Sequence, residues 1–179
     1  MLIGRQFIAC LTDKQKYSPI GTIEYKGLSM ANTYLNILVH TVFSTKNRES
    51  WLSSSLRERL YPYMCGIARG NDLKVLCSGG TDNHVHILLS LNSSTSIAKA
   101  IQSIKGGSSR WIHETFPDQK LFSWQEGYGA FSIGISNIAE TMKYIENQEE
   151  HHSKVSFHDE YLGFLRKNNI DFDEKYVWG

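Results

Sequence analysis

The order of elements predicted along the chain indicates an α+β fold of the ferredoxin-like type: an antiparallel sheet (βαββαβ) with helices on one face and additional C-terminal helices. Three observations support this class. The patterned part of the chain predicts strand, helix, strand, strand, helix and strand, in that order. The two central strands are separated only by GGTDN, a turn-rich segment typical of an antiparallel pair. Further amphipathic segments follow the last strand.

The first half of this pattern supplies four elements. Residues 34–43 are rich in aromatic and β-branched side chains, which is typical of a strand. Serines then precede LRERLYPYMCGIARG, which predicts a helix that ends at Gly70 and that Pro62 shifts or kinks. Residues 73–78 and 84–91 predict the two central strands.

The second half predicts one more long helix, over residues 96–116, with Gly106 and Gly107 as a weak point. The elements after it are two short strand candidates at 121–124 and 128–133, a helix capped by Ser136 that runs through NIAETMKYIENQEEHH, and an amphipathic helix at 156–168.

The pattern begins at Met30. Residues 1–29 show no sustained period and contain Pro19, Gly21 and Gly27, so we expect a poorly structured extension, the product of an upstream start codon. Residues 30–179 are expected to form a single domain, with a catalytic helix near 136–152 and a helical tail. No apolar run approaches the roughly 20 residues that span a bilayer, and the first residues lack a signal-peptide pattern. The three cysteines, Cys10, Cys65 and Cys77, are widely spaced and odd in number, which fits reduced thiols and predicts a cytoplasmic protein.

The charge balance excludes a protein that holds nucleic acid by bulk charge. The chain has 19 Lys and Arg against 18 Asp and Glu, a formal net charge of +1. Any contact with nucleic acid then depends on local placement and base stacking. Because few phosphates would be neutralised, we expect a modest salt dependence of binding.

A pair of histidines is the sharpest local feature. His84 and His86 lie in the predicted strand NHVHILLSL, whose side chains alternate between the two faces. Both imidazoles therefore point the same way, while Val85 and Ile87 face the core. Two such imidazoles are ready ligands for a metal ion. Histidines on a solvent-facing strand surface are the commoner explanation of an isolated pair.

A second feature is the helix TMKYIENQEEHH. Tyr144 and Gln148 are four residues apart and share a helix face, and His151 lies close to that face. A tyrosine serves as a nucleophile where a metal or base offsets its pKa near 10. The alternative is that Tyr144 packs in the core and Gln148 is solvated.

Basic side chains with interleaved aromatic residues form a third group, of the kind that binds single-stranded nucleic acid. An ordinary solvated face with core aromatics is the alternative. The group comprises Lys46, Arg48, Lys99, Lys105, Arg110, Trp111, Trp124, Tyr128 and Phe131. His40, in the first strand, is expected to be a packed histidine rather than a ligand.

Taken in order, five segments resemble the HUH-type single-tyrosine transposases of bacterial insertion sequences (insertion sequence 200/605 type), relatives of the REP-associated tyrosine transposases. The segments are VFSTKNR, HVHILL, SIKGGSSRWI, WQEGYGAFS and YIENQEEHH. The resemblance covers residues 31–179, including the tail FHDEYLGFLRKNNIDFDEKYVWG. The chain has Asn147-Gln148 where REP-associated relatives usually have Asn-Pro, and Asp82 where many relatives have proline.

The resemblance implies a function and a set of roles. His84, His86 and Gln148 would hold Mg²⁺ or Mn²⁺, and Tyr144 would cleave single-stranded DNA by transesterification through a 5′-phosphotyrosine. The expected partners are hairpin-bearing single-stranded DNA ends and a second copy of the chain. The expected DNA contacts, from the basic group above, are Lys46, Arg48, Lys105 and Arg110.

Two alternative functions stay open at this point. One is a metal-dependent phosphodiesterase that uses water in place of the tyrosine. The other is a domesticated protein that binds DNA hairpins without cutting them. Whether the tyrosine serves its own chain or its partner is not fixed by the sequence.

Overall fold

A computed structural model describes residues 34–178, and these form the predicted ferredoxin-like arrangement. The antiparallel sheet has the strand order β2-β3-β1-β4. Its strands are β1 (Ile37–Ser44), β2 (Lys74–Gly80), β3 (His84–Leu91) and β4 (Gly129–Ser132). Helices α1 (Ser54–Gly70) and α2 (Ile97–Thr115) make the two crossover connections. The extension expected at residues 1–29, and the domain start at Met30, lie outside the described residues.

Three shorter helices follow the sheet: α3 (Ile138–Glu146), α4 (Gln148–His152) and α5 (Phe157–Lys167). The single helix predicted through 136–152 is therefore wrong in one respect, since it breaks at Asn147. The predicted cap is also wrong, because the Ser136 hydroxyl bonds the Asn137 side chain and α3 begins after it. Ser156, by contrast, caps α5 by accepting the backbone N–H of Asp159.

The crossover helices cover the first face of the sheet with an apolar core. Val85, Ile87 and Leu89 of β3 point into this core, as strand alternation predicts. Their partners from α1 and α2 include Leu60, Met64, Ile101 and Ile104, all fully or almost fully buried. Pro62 lies inside α1 without ending it.

Gly107 explains why the predicted weak point in α2 is absent. The helix runs unbroken through both glycines. A Cβ at Gly107 would lie 2.8 Å from the side chain of Ile67, so the glycine lets α1 and α2 approach closely. The glycine at this position is used for packing between helices.

The C-terminal helices cover the second face. Ile145 of α3 packs on Cys77 and Leu88 of the sheet. The contact is close enough that a Cβ at Gly79 would overlap the backbone carbonyl oxygen of Ile145. Helix α5 packs on Val42 and Phe131 through an apolar cluster that also includes Phe157, Leu162 and Leu165. The segment that carries Tyr144 is thereby seated directly on the sheet.

The predicted strand at 121–124 is not formed. Only Trp124 pairs with the sheet, through an isolated bridge to Thr45. Its indole N–H donates to the buried Ser108 hydroxyl on α2, at 3.0 Å, and the backbone on either side of it bonds to Ser44 and Lys46. Within residues 34–178, no helix has the length and apolar character needed to cross a membrane.

Candidate metal and nucleophile site

His84 and His86 lie on the second face of the sheet, and both are fully buried beneath the C-terminal helices. The Nδ1 of His84 is 2.7 Å from the side-chain oxygen of Asn83. The Nδ1 of His86 is 3.0 Å from the Nε2 of His40. Each imidazole is thus oriented through Nδ1, which leaves Nε2 facing the space between them. Such outer partners fix the rings of metal-binding histidines.

Helix α4 brings Gln148 and His152 to the same space. The Gln148 side-chain oxygen lies 3.2 Å from His84 Nε2 and 3.1 Å from His152 Nε2. Gln148 is almost fully buried, and the Nδ1 of His152 is anchored 2.8 Å from the carbonyl of Val155. The break at Asn147 therefore precedes a turn that carries two inward polar side chains.

Glu160 of α5 occupies the centre of the group. Its side chain is 3% exposed, and one oxygen, Oε2, lies 3.4 Å from His86 Nε2, 3.3 Å from His152 Nε2 and 3.9 Å from His84 Nε2. Burial alone would raise the pKa of this carboxyl, but the imidazoles of His152 and His86, 3.3 and 3.4 Å from Oε2, hold the pKa far below its ordinary value. The carboxylate is therefore the ionised member of the cluster.

These side chains fit a divalent cation. The ligand atoms of His84, His86, His152 and Glu160 all lie within 4.8 Å of one another. Two buried atoms that face each other, His86 Nε2 and Glu160 Oε2, have no hydrogen-bond partner. Burial, with the neighbouring His86, holds the pKa of His84 well below 6.5, which keeps a lone pair free for a metal. Imidazole-rich ligand sets suit Mn²⁺ better than Mg²⁺.

Tyr144 stands beside this group in the same chain. Its hydroxyl donates a hydrogen bond to Glu160 Oε1 and lies 3.5 Å from His151 Nε2. Its ring centroid is 5.9 Å from that of His86 and 5.8 Å from that of Phe164. Burial, followed by the Glu160 charge and hydrogen bond, raises the pKa of Tyr144 well above 10. Without a nearby cation the phenol is protonated.

The basic residues expected to contact DNA lie in three places: beside a cavity, on a loop and on the far side of the sheet. Lys46 is exposed at the rim of a cavity of about 660 Å³, and the Arg48 guanidinium lies 4.6 Å from the Trp178 ring centroid, which also lines it. Lys105 donates to the backbone carbonyls of residues 125–127, so its ammonium holds that loop. Arg110 is exposed on α2, across the sheet from the metal cluster.

The aromatic members of that group also separate. Trp124 and Phe131 are buried in the two opposite cores, whereas Tyr128 lines the cavity. Phe157 forms the wall between cavity and metal cluster, since its ring stacks on His84 at 4.2 Å. The cavity and the cluster are therefore neighbours.

Sequence reasoning missed Glu160 and His152. His152 is four residues after Gln148 and so shares its helix face, which was a usable signal. Glu160 lies on the apolar stripe of α5, between Phe157 and Phe164. A carboxylate on such a stripe indicates a partner elsewhere in the fold, although the sequence does not say which.

Comparisons with known proteins identify the family of the chain. Residues 33–148 match the family described as IS200-like transposases. The chain is 28% identical over 116 residues to the ISDra2 transposase TnpA of Deinococcus radiodurans, covering 62% of this chain and 83% of that protein. It is 27% identical over 127 residues to the IS200 transposase of Salmonella typhimurium, covering 68% and 83% respectively.

Two solved structures share the fold. The crystal structure of a putative transposase from Deinococcus radiodurans superposes with a TM-score of 0.55 at 25% identity, covering 70% of this chain and 98% of that one. A REP-associated tyrosine transposase bound to a REP hairpin superposes with a TM-score of 0.53 at 16% identity, covering 83% and 93%.

Proposed function

Because the chain belongs to the IS200-like transposase family, we propose that it cleaves and rejoins single-stranded DNA through a covalent bond to Tyr144. The observation that carries the proposal is the contact between this tyrosine and a buried cluster of metal-ligand side chains in one chain. A nucleophile without a cluster, or a cluster without a nucleophile, would support a different chemistry.

In this reaction the Tyr144 oxygen forms a bond to the phosphorus of the scissile phosphodiester. The bond from phosphorus to the 3′ oxygen breaks, the 3′ oxygen takes up a proton, and the products are a 5′-phosphotyrosine and a free 3′-hydroxyl. Attack by a second 3′-hydroxyl reverses the step and joins a new strand without ATP, since the ester is conserved. The scheme needs the phenol to lose its proton, and Glu160 Oε1 accepts its hydrogen bond.

The residues that would hold Mg²⁺ or Mn²⁺ are His84, His86 and Gln148, which converge through Nε2, Nε2 and Oε1. A bound ion would polarise the phosphate and offset negative charge as the phenolate forms. His40 and Asn83 keep the two imidazoles turned toward it. Phe157 and Phe164 close the sides of the site and limit access of water, which would otherwise compete with the tyrosine.

The cavity beside Phe157 is the best-placed groove for the DNA strand. Its rim carries Lys46, and its wall contains Tyr128, Tyr161 and Trp178, which offer stacking surfaces for bases. Arg48 already lies over Trp178 and is positioned to meet a phosphate there. Two DNA ends require two tyrosines, so we expect the working unit to be a dimer that binds hairpin-bearing ends.

The test is a denaturing gel after incubation with single-stranded DNA from the flanks of the gene and Mn²⁺. We expect a protein–DNA adduct that Tyr144→Phe eliminates. An adduct that persists in Tyr144→Phe overturns the proposal. Cleavage to free 5′-phosphate products without an adduct would identify a water-using phosphodiesterase, and hairpin affinity without any cleavage would identify a binding protein.

A further inference from the structure

Helix α5 lies beyond the residues that match the transposase family, which end at 148, yet it supplies the central side chain of the site. We propose that Glu160 binds the metal ion through one carboxylate oxygen and holds Tyr144 through the other. This rests on the proposed function for the roles of the metal and the tyrosine.

The two oxygens of Glu160 have different neighbours. Oε1 accepts the hydrogen bond of the Tyr144 hydroxyl and lies 3.3 Å from the Gln148 amide nitrogen. Oε2 faces the imidazoles of His86 and His152 and is within 4 Å of His84. One carboxylate therefore spans the distance from the nucleophile to the metal ligands.

Oε2 is the atom best placed to bind a cation. It is buried, lies 3.3 Å from His152 Nε2 and 3.4 Å from His86 Nε2, and accepts no well-formed hydrogen bond from residues 34–178; His86 Nε2 likewise has no such partner there. A buried carboxylate beside imidazoles alone is less well compensated than one beside a divalent cation. A carboxylate also adds the negative charge and hard oxygen ligand that two imidazoles and an amide lack for Mg²⁺ or Mn²⁺.

The position of Glu160 is built into α5 by its neighbours on the same helix face. Three residues before it, Phe157 stacks on His84 at 4.2 Å with an interplanar angle of 13°. Four residues after it, Phe164 meets the rings of His40 and Tyr144 edge-on and stacks on Phe131 at 5.2 Å. These two aromatic residues therefore pack α5 against the site on both sides of the carboxylate.

The same contacts place Tyr144 beside the histidines of its own chain. Helix α3 is seated on β2 at Gly79 and α5 closes over it, so the tyrosine is held between two elements of one chain. The hydrogen bond from Tyr144 to Glu160 is therefore formed within one chain.

Metal binding is the first test, and it needs no DNA. Mn²⁺ affinity is measured by calorimetry or by the electron paramagnetic resonance signal of free Mn²⁺, for the unmodified protein, Glu160→Gln and the control Glu150→Gln. Glu150 lies nearby on α4 but is exposed and pairs only across the surface with Lys154. We expect Glu160→Gln to weaken binding at least about tenfold, as loss of supporting groups does. Equal affinity in Glu160→Gln and the unmodified protein overturns the metal-binding role.

The second test reads the tyrosine directly. With ¹³Cζ-tyrosine labelling, the Tyr144 resonance is the one absent from Tyr144→Phe. It should shift in Glu160→Gln, remain in place in Glu150→Gln, and broaden when Mn²⁺ is added to the unmodified protein. A Tyr144 resonance that is unmoved in Glu160→Gln contradicts the positioning role. Unchanged thermal unfolding separates this outcome from general loss of structure.

If the unmodified protein forms no adduct, the proposed function fails, while the Mn²⁺ and resonance measurements still decide the role of Glu160.

Discussion

The two faces of the sheet are built from the same strands and are used for opposite purposes. On the first face, Val85 and Ile87 join an apolar core shared with α1 and α2. On the second face, their neighbours His84 and His86 are just as deeply buried but contact polar side chains from α4 and α5. Adjacent residues of β3 therefore point alternately into the apolar core and into the polar cluster.

Burial of side chains contributes differently to the free energy of folding on the two faces. Burial of apolar side chains stabilises the fold by roughly 25 cal/mol per Å² of area removed from water. Burial of imidazoles and a carboxylate costs free energy unless a partner compensates it. The second face is therefore held by its aromatic neighbours and by the crossover core behind it, and its polar centre would gain stability from a bound cation.

The largest expected effect comes from substituting, one at a time, two adjacent residues of β3 that point to opposite faces. Ile87→Ala should lower the free energy of unfolding by about 2–5 kcal/mol while adduct formation per folded molecule persists. His86→Gln keeps the volume and hydrogen bonding, so stability should change by less than about 1 kcal/mol, whereas adduct yield should fall at least about a hundredfold. Urea denaturation and the gel assay measure the two quantities. Comparable losses of stability in both variants would erase the distinction between the faces.

Acid should weaken the second face first. Burial, with the adjacent His86, lowers the pKa of His40 to about 3, against 6.5 ordinarily, and the pKa of His84 is lowered in the same direction. Between about pH 3 and pH 6.5 these histidines bind protons in the unfolded chain but not in the folded chain. The stability present above pH 6.5 is therefore lost as the pH falls. His152, whose pKa is raised, acts in the opposite direction.

The expected loss is up to about 1.4 kcal/mol per pH unit for each such histidine. His40→Asn should make the dependence of unfolding free energy on pH shallower by up to that amount. Ile87→Val, on the first face, should lower stability by about 0.5–1.5 kcal/mol with an unchanged slope. Denaturant titrations of the metal-free proteins between about pH 7 and pH 5 compare them. An unaltered slope in His40→Asn contradicts the assignment of acid sensitivity to this face.

The smallest effect distinguishes two helix caps. Ser53 accepts the backbone N–H of Leu56 at the start of α1, and Ser156 accepts that of Asp159 at the start of α5. Alanine at either position should cost about 1 kcal/mol of stability. Only Ser156→Ala should also weaken Mn²⁺ binding, by severalfold, because α5 carries Glu160. Equal Mn²⁺ affinities in the two variants would show that the cap of α5 does not set the position of the carboxylate.

Local patterns were sufficient for most of the fold. The alternation in β3 correctly assigned His84 and His86 to one face and Val85 and Ile87 to the other, because side-chain direction in a strand depends on neighbours two residues apart. The strand at 84–91 was predicted with its observed ends. Tyr144 and Gln148 come together as expected from their spacing, with the break at Asn147 falling between them.

Apart from the cap at Ser136, the errors and omissions come from contacts that are distant in sequence. Gly107 indicated a weak helix when considered alone, yet its role is set by Ile67 on another helix. The segment ending at Trp124 has strand-like composition, but Ser108 and Thr45 determine its conformation. Glu160 is 74 residues from His86 (160 − 86). Its partners become visible only when α5 has folded back over β3.

Gly79 has a consequence for how copies of such a gene lose their activity. The tyrosine helix rests on this position with no room for even one methyl group. Any substitution there would lift the helix and carry Tyr144 away from the histidines, while leaving the histidine pair and the tyrosine intact in the sequence. On the proposed function, a gene copy altered in this way would look functional to a survey that checks only for the histidine pair and the tyrosine. Such a survey should therefore include the glycine at position 79.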